Sequence, residues 1–296
     1  MEDIYKQMFG RNIGNVTEQE QEKLAKTTVA IAGAGGTGGA ALFNLARMGI
    51  GHFKIADPES YAYTDLNRQQ GSTFAAVGTL KVEAITQALK AINPSVQVTV
   101  YPEGLQEHNV ENFLDEVSIV VDGLDFFCLA VRKKLFDAAR TRGLYILSCP
   151  IFGFGTALAV FSPQGPSFDQ VFGKVPEKID AAYAINFGRT FFPVFPRYID
   201  LGAYIEAVKK ERPIPSFATS CSLSGAVTAA EALFILLNRR KAVCFPLIRH
   251  YDLFDAKIKI TDSRKKKFNY FQKLIFKIII SGNKKLSGYK DFIDKL

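Results

Sequence analysis

Cysteine is scarce in this 296-residue sequence, and the four present are badly placed for cross-linking or metal binding. Cys128, Cys149, Cys221 and Cys244 stand 21, 72 and 23 positions apart, with no C-x-x-C pair and no histidine nearby to complete a cage. That spacing counts against a disulfide framework and against structural zinc. Histidine is rare as well: His52, His108 and His250 are scattered, which does not suit a histidine-centred acid–base site. Met1-Glu2-Asp3-Ile4 lacks the basic start and apolar core of a signal peptide, and no clean apolar run reaches the roughly 20 residues that cross a bilayer. The expectation is a cytoplasmic protein. No internal repeat is visible.

A balanced charge is missing from one region only. Net charge is +8, but residues 257–296 hold 12 Lys/Arg against three Asp, leaving 25 basic and 26 acidic side chains over residues 1–256. The basic pI near 9.2 therefore describes a tail, and whole-chain nucleic-acid binding loses its support. At 48% hydrophobic residues the chain is rich enough for a sizeable core.

Apolar runs of strand length alternate with stretches of helical period. Thr28–Gly33, His52–Asp57, Gln97–Tyr101, Ser118–Val121 and Leu144–Ser148 read as strands, while Thr37–Met48, Lys81–Ile92 and Leu129–Thr141 read as helices. The reading is an α/β fold: a Rossmann-like, mainly parallel sheet with covering helices. From Ile151 glycine and proline punctuate shorter apolar pieces, which suits late antiparallel strands. Residues 163–217 hold seven prolines and many aromatics and read as a crossover insertion facing a substrate. The core resumes with a helix over Ser222–Leu237 and a closing strand over Tyr251–Thr261.

Chemistry is concentrated in the first half. Gly33, Gly35, Gly36 and Gly38 lie between a strand and a helix, where small residues let backbone N–H groups reach a phosphate. Asp57 follows Gly38 by 19 residues at a strand end, a place for a carboxylate that grips ribose. To this point a dinucleotide site fits equally well. Asn67, Arg68, Lys81 and Asp125 then tilt the reading toward ATP cleavage. Two cations can neutralise phosphate oxygens, and a carboxylate can hold Mg²⁺ against them.

The run GAGGTGG, the strand-end acid, LNRQ, VGTLK and DGLD together resemble the ThiF/MoeB/HesA superfamily of adenylate-forming enzymes, which includes ubiquitin-activating enzymes. The resemblance is clear over residues 5–162. Phe9-Gly10-Arg11-Asn12-Ile13 followed by Gln21-Glu22-Lys23-Leu24 is similar to the family's N-terminal "RQI…GQEKL" segment. It implies that Arg11 is the arginine lent across a homodimer to the partner's ATP. GFGTALAVFSP, PSFDQVF and YDLFD resemble a bacterial ThiF-type branch.

Three positions depart from the family pattern. Glu59 stands where an Asp usually meets the ribose, so Asp57 and Glu59 share that role. Asp65 replaces the usual Asn before L-x-R-Q, and Phe126 replaces the Asn after Asp125. The resemblance implies ATP and Mg²⁺ as cofactors, Arg11, Arg68 and Lys81 as catalytic cations, and attack of a carboxylate on the α-phosphate. Acceptors across the superfamily include ubiquitin-like carrier proteins, a ribosomal peptide, and threonylcarbamoyl adenosine in tRNA.

Members that form a thioester or persulfide usually place a cysteine in the crossover, and residues 150–220 contain none. Cys221, at the edge of that segment and before a helix N-terminus, is the candidate nucleophile; the alternative is a small buried residue. The organisation expected is an adenylation domain over 1–262 and a basic amphipathic tail over 263–296. In that tail Phe271, Leu274, Ile275 and Ile278 share a helical face beside Lys273 and Lys277. It suits docking on its own domain or a partner subunit, peripheral attachment to an anionic membrane surface, or contact with tRNA or another acidic partner. The rival functions are a tRNA threonylcarbamoyladenosine dehydratase-like enzyme, a non-catalytic scaffold subunit, and an NAD-dependent oxidoreductase.

Overall fold

A computed structural model describes residues 2–126, 128–176, 181–192, 196, 198, 199, 203 and 214–265. Five parallel strands form one half of the sheet: β1 (Thr28–Ala32), β2 (His52–Ala56), β3 (Gln97–Tyr101), β4 (Ile119–Asp122) and β5 (Ile146–Ser148). Beyond β5 the sheet turns antiparallel through β7 (Gly155–Phe161), β8 (Leu247–Asp252) and β9 (Lys257–Asp262), and the short β6 (Ile151–Phe152) pairs with β7. The order is β3-β2-β1-β4-β5-β7-β8-β9. It reverses direction between β1 and β4, and the loops leaving those two strands open the crevice where such folds bind ligands.

The nine described α-helices are α1 (Glu2–Phe9), α2 (Glu18–Ala25), α3 (Gly36–Arg47), α4 (Lys81–Ile92), α5 (Val110–Leu114), α6 (Leu129–Thr141), α7 (Phe168–Phe172), α8 (Ala181–Phe191) and α9 (Ala218–Leu236). Successive residues of β1 serve opposite faces, as period-2 backbone requires. Val29 and Ile31 join Leu42, Ile85 and Ala229 beneath α3, α4 and α9. Ala30 and Ala32 join Phe113, Leu135, Phe136 and Phe187 beneath α5 to α8. Covered on both sides, β1 has no use for polar alternation, hence the continuous apolar run TVAIA.

Two expectations need correction, and the N-terminal stretch, given no element by the sequence pattern, gains one. The single closing strand is a hairpin, because Asp252 Oδ1 accepts from the backbone of Phe254 and Asp255, and Ala256 turns at φ 50°. The polar N-terminal stretch is helical, with Thr17 and Glu20 forming a capping box at α2. The helix expected from Ser222 starts at Ala218, four residues earlier. Nineteen residues long with mean hydropathy 1.4, α9 meets the length and composition of a membrane span, yet half of it is buried in the fold. Its buried face carries Ala229, Ala232 and Leu236 into the core and also holds Glu231, whose carboxylate pairs with Arg249 on β8 at 2.8 Å and with Arg240.

Ser263, drawn as the first tail residue, is buried and bonded to the Pro246 and Thr190 carbonyls, so the folded unit reaches it. The tail candidates Phe271 to Ile278 lie outside the described residues.

His250 sits on β8 opposite Lys259, against Phe192, with Nε2 2.7 Å from Thr261 Oγ1. Burial, aided by the Lys259 ammonium, pushes its pKa down to about 4. A depressed histidine is neutral when folded and takes a proton when unfolded, so stability falls as pH drops from about 6.5 toward 4. Urea denaturation of wild type and His250→Gln at pH 7 and 4.5 should show about 2–3 kcal/mol of acid-induced loss, beyond other groups, that the variant does not show.

Candidate active site

The loop after β1 is shaped by backbone contact that leaves no space for side chains. Gly33 turns at φ 83°, its N–H donating to Ala56 O, while Gly123 N–H donates to Ala32 O. A Cβ at Gly38 would lie 1.9 Å from Gly33 O, and one at Gly33 would lie 2.5 Å from Gly123 O. Glycine at these positions lets α3 start against the ends of β1 and β4. Gly35 is the N-cap of α3 with no side chain capping it among the described residues, so the first N–H groups of this 12-residue helix are free to meet an anion.

Asp57 braces this loop. Its Oδ2 accepts from Ala34 N–H at 2.8 Å and its Oδ1 from Glu59 N–H at 2.9 Å. The carboxyl is buried, and that burial pushes its pKa up against the opposing pull of Lys81 and the two N–H donors. With both oxygens engaged by backbone, Asp57 points inward, and Glu59 is the strand-end acid that faces solvent.

The cations lie just beyond. Lys81 opens α4 with its ammonium 2.5 Å from Glu59 Oε2 and 4.0 Å from Asp65 Oδ2, its side chain 2% exposed. Arg68 Nη1 donates to Thr64 O and Asn67 Oδ1, and Nη2 is 3.6 Å from Asp65. Arg68 also lies along the start of α3, where a Cβ on Gly36 would meet its Cγ and Nε at 3.7 Å. Asp65 is the hub: buried, it accepts from Ala62 N–H and from Gln69 Nε2. Gln69 Oε1 is buried without a partner among the described residues, an acceptor that a water or a ligand hydroxyl can fill.

At the end of β4, Asp122 receives Arg132 Nε on both oxygens at 3.1 Å, and Arg132 also donates to Leu124 O. The guanidinium lies 5.3 Å from the Phe187 ring. Sequence reading missed this pair, although D-x-x-D followed by a helix carrying an arginine was its signal. Asp125, three residues on, is exposed in the loop before α6, and Cys128 at the α6 N-cap is raised in pKa by burial. Among the described residues no three His, Cys, Asp or Glu cluster into a cage. An exposed single carboxylate fits Mg²⁺, which binds through one or two carboxylates, waters and substrate phosphates.

The crossover returns to the same place. Asn67 Nδ2 donates to Ser216 O, and Cys221 in the first turn of α9 faces Gly36, where a Cβ would stand 2.8 Å from its Sγ. Cys221 is buried, and that burial pushes its thiol up to about 11 in spite of Arg68. Burial thus opposes the activation that a helix end would give this thiol. Phe217, just before α9, joins Phe154, Tyr198 and Phe254 in a partly exposed aromatic group. Arg11 is elsewhere. Its neighbour Asn12 donates to Met48 O, at the far end of α3, about 18 Å along the helix from the glycine loop.

A ThiF family model matches residues 9–270. The chain belongs to the ThiF family. A sulfur carrier protein adenylyltransferase of Thermus thermophilus is 28% identical over 262 residues, covering 86% of this chain and 83% of that protein. Seven other curated relatives are spanned over 30% to 66% of their length. Among solved structures, E. coli MccB with MccA-N7isoASN superposes with a TM-score of 0.64 at 17% identity, covering 82% of this chain and 66% of that one. The E. coli tRNA N6-threonylcarbamoyladenosine dehydratase TcdA superposes with 0.58 at 19% identity, covering 80% and 97%. These two likenesses concern the fold.

The two acids of D-x-x-D should separate by stability. Asp122→Ala leaves a buried guanidinium uncompensated and should cost about 3–5 kcal/mol, whereas Asp125→Ala should cost less than about 1 kcal/mol. Chemical denaturation of both variants measures the contrast.

Proposed function

We propose that this ThiF-family adenylyltransferase uses ATP and Mg²⁺ to activate the C-terminal carboxylate of a ubiquitin-like carrier protein or peptide. The observation that carries the reading is convergence: Asn67 reaches Ser216 where the crossover returns, Arg68 lies along the start of the uncapped glycine-loop helix, and Lys81 shares Asp65 with Arg68. A polyphosphate laid on the α3 N-terminus would meet Arg68 there, and Lys81 lies next along the same ion-pair network through Asp65. The Thermus thermophilus relative, named for a sulfur carrier protein, supports the substrate class.

The reaction needs alignment and charge stabilisation more than proton transfer. One carboxylate oxygen attacks the α-phosphorus in line, the bond to the bridging oxygen of the β-phosphate breaks, and pyrophosphate departs with the negative charge. The loop N–H groups and Arg68 receive the phosphates, Lys81 meets the charge growing on the leaving group, and Glu59 takes the ribose hydroxyls. Asp125 would hold Mg²⁺, which when bound supplies further neutralisation of the phosphate oxygens.

Arg11 acts on the site of a partner copy, since its own glycine loop lies a helix length away. The site has no placed role for a free thiolate, and adenylation is complete without one.

The test is ATP–pyrophosphate exchange with carrier proteins, peptides and tRNA offered separately. Exchange should require a free carboxylate and Mg²⁺, and Lys81→Ala should lower it at least about 100-fold. Mixing Arg11→Ala with Lys81→Ala protein should restore up to one working site per mixed dimer. Exchange supported by modified tRNA alone would replace the carrier reading with the dehydratase-like one.

A further inference from the structure

We infer that Glu59 is a gate on Lys81 that makes phosphate binding conditional on ribose recognition. The inference rests on the reading that ATP occupies this site, and it adds a specificity role that neither residue has separately.

The two partners differ sharply in exposure. The Lys81 side chain is 2% exposed and the Glu59 side chain 69% exposed, with 2.5 Å between Nζ and Oε2. Behind the ammonium lie the Tyr61 ring, 5.9 Å away, and Asp65 at 4.0 Å. Glu59 therefore covers the solvent side of a cation otherwise enclosed by protein. The main chain fixes the arrangement: Lys81 N–H donates to Glu59 O, Glu59 N–H donates to Asp57, and Ser60 bridges Leu80. Only the Glu59 side chain has room to move.

Charge makes the cover matter. Glu59, Asp65 and Asp57 place three carboxyl groups around two cations, Lys81 and Arg68. Closed, the site offers a polyanion little net attraction. Opening costs little, because an ion pair with one largely exposed member is weak and its carboxylate is re-solvated as it swings away. Ribose hydroxyls give that carboxylate donors to accept from in its open position, so a ligand with both ribose and phosphates opens the gate and gains Lys81. A bare polyphosphate displaces the same carboxylate into water alone and keeps that negative charge beside its own, with no ribose contact to offset the repulsion. After opening, Asp65 still partners the buried ammonium.

Side-chain length is the lever. The extra methylene of Glu over Asp is what carries this carboxylate to Nζ from a backbone already pinned on both sides.

Calorimetric titration with Mg²⁺ present would compare ATP, 2′,3′-dideoxy-ATP and inorganic tripolyphosphate on wild type, Glu59→Ala and Glu59→Asp. Glu59→Ala should bind tripolyphosphate roughly tenfold tighter than wild type and lose preference for ATP over the dideoxy analogue. Glu59→Asp should also gain tripolyphosphate affinity but keep the ribose preference, since its carboxylate stays near the strand end and withdraws from Lys81. Thermal melting of each variant confirms the fold. Unchanged or weaker tripolyphosphate binding by both variants, with ATP still bound by wild type, overturns the gate and leaves the ATP reading standing. Failure of every protein to bind ATP overturns both.

Discussion

The site depends on how closely three pieces of backbone approach one another. Gly33, Gly38 and Gly123 meet with no room for a side chain, and this contact brings the start of α3 against the ends of β1 and β4. If that approach opened by the width of a methyl group, the α3 N-terminus would retreat from Arg68, and Ala34 N–H would leave Asp57. The cations, the brace and the strand-end loops are each built outward from that junction. Burial in the two cores on either side of β1 stabilises it, but the glycines decide its geometry.

The site is also more acidic than a list of its cations suggests. Asp65 reaches Arg68, Lys81 and Gln69, and Glu59 closes over Lys81, so each cation already has a partner. Such pairing keeps an inward-facing ammonium and guanidinium from destabilising the fold. It also means that a nucleotide replaces existing interactions, and its affinity is a difference between two sets of contacts.

Local pattern carried most of the fold into the sequence. Lys81–Ile92, Gln97–Tyr101 and Leu129–Thr141 can be bounded from apolar periodicity and end signals, and each coincides with an observed element. The glycine loop, Arg68 and Lys81 were legible because their spacing is short and their chemistry distinctive. What escaped depended on partners distant in sequence or on direction. Nothing local says that Asp57 spends both oxygens on backbone N–H groups, or that Cys221 faces Gly36. Asp122 and Arg132 form a buried pair ten residues apart whose burial depends on Phe187 of α8, packed over the guanidinium. The turn at Asp252–Ala256 was hidden because its apolar flanks read as one strand.

α9 spans the sheet late in the chain, and Gly225 approaches Ala40 of α3 so closely that an added Cβ would lie 2.5 Å from the Ala40 carbonyl carbon and Cβ. The surface of α3 that meets it is complete in sequence by residue 47, while its cover begins at Ala218. On the ribosome, the nascent chain therefore carries an uncovered apolar face through about 170 further residues, on the order of ten to thirty seconds of synthesis. Assembly of this core is timed by α9, and the N-terminal half must stay out of non-native contacts until that helix emerges.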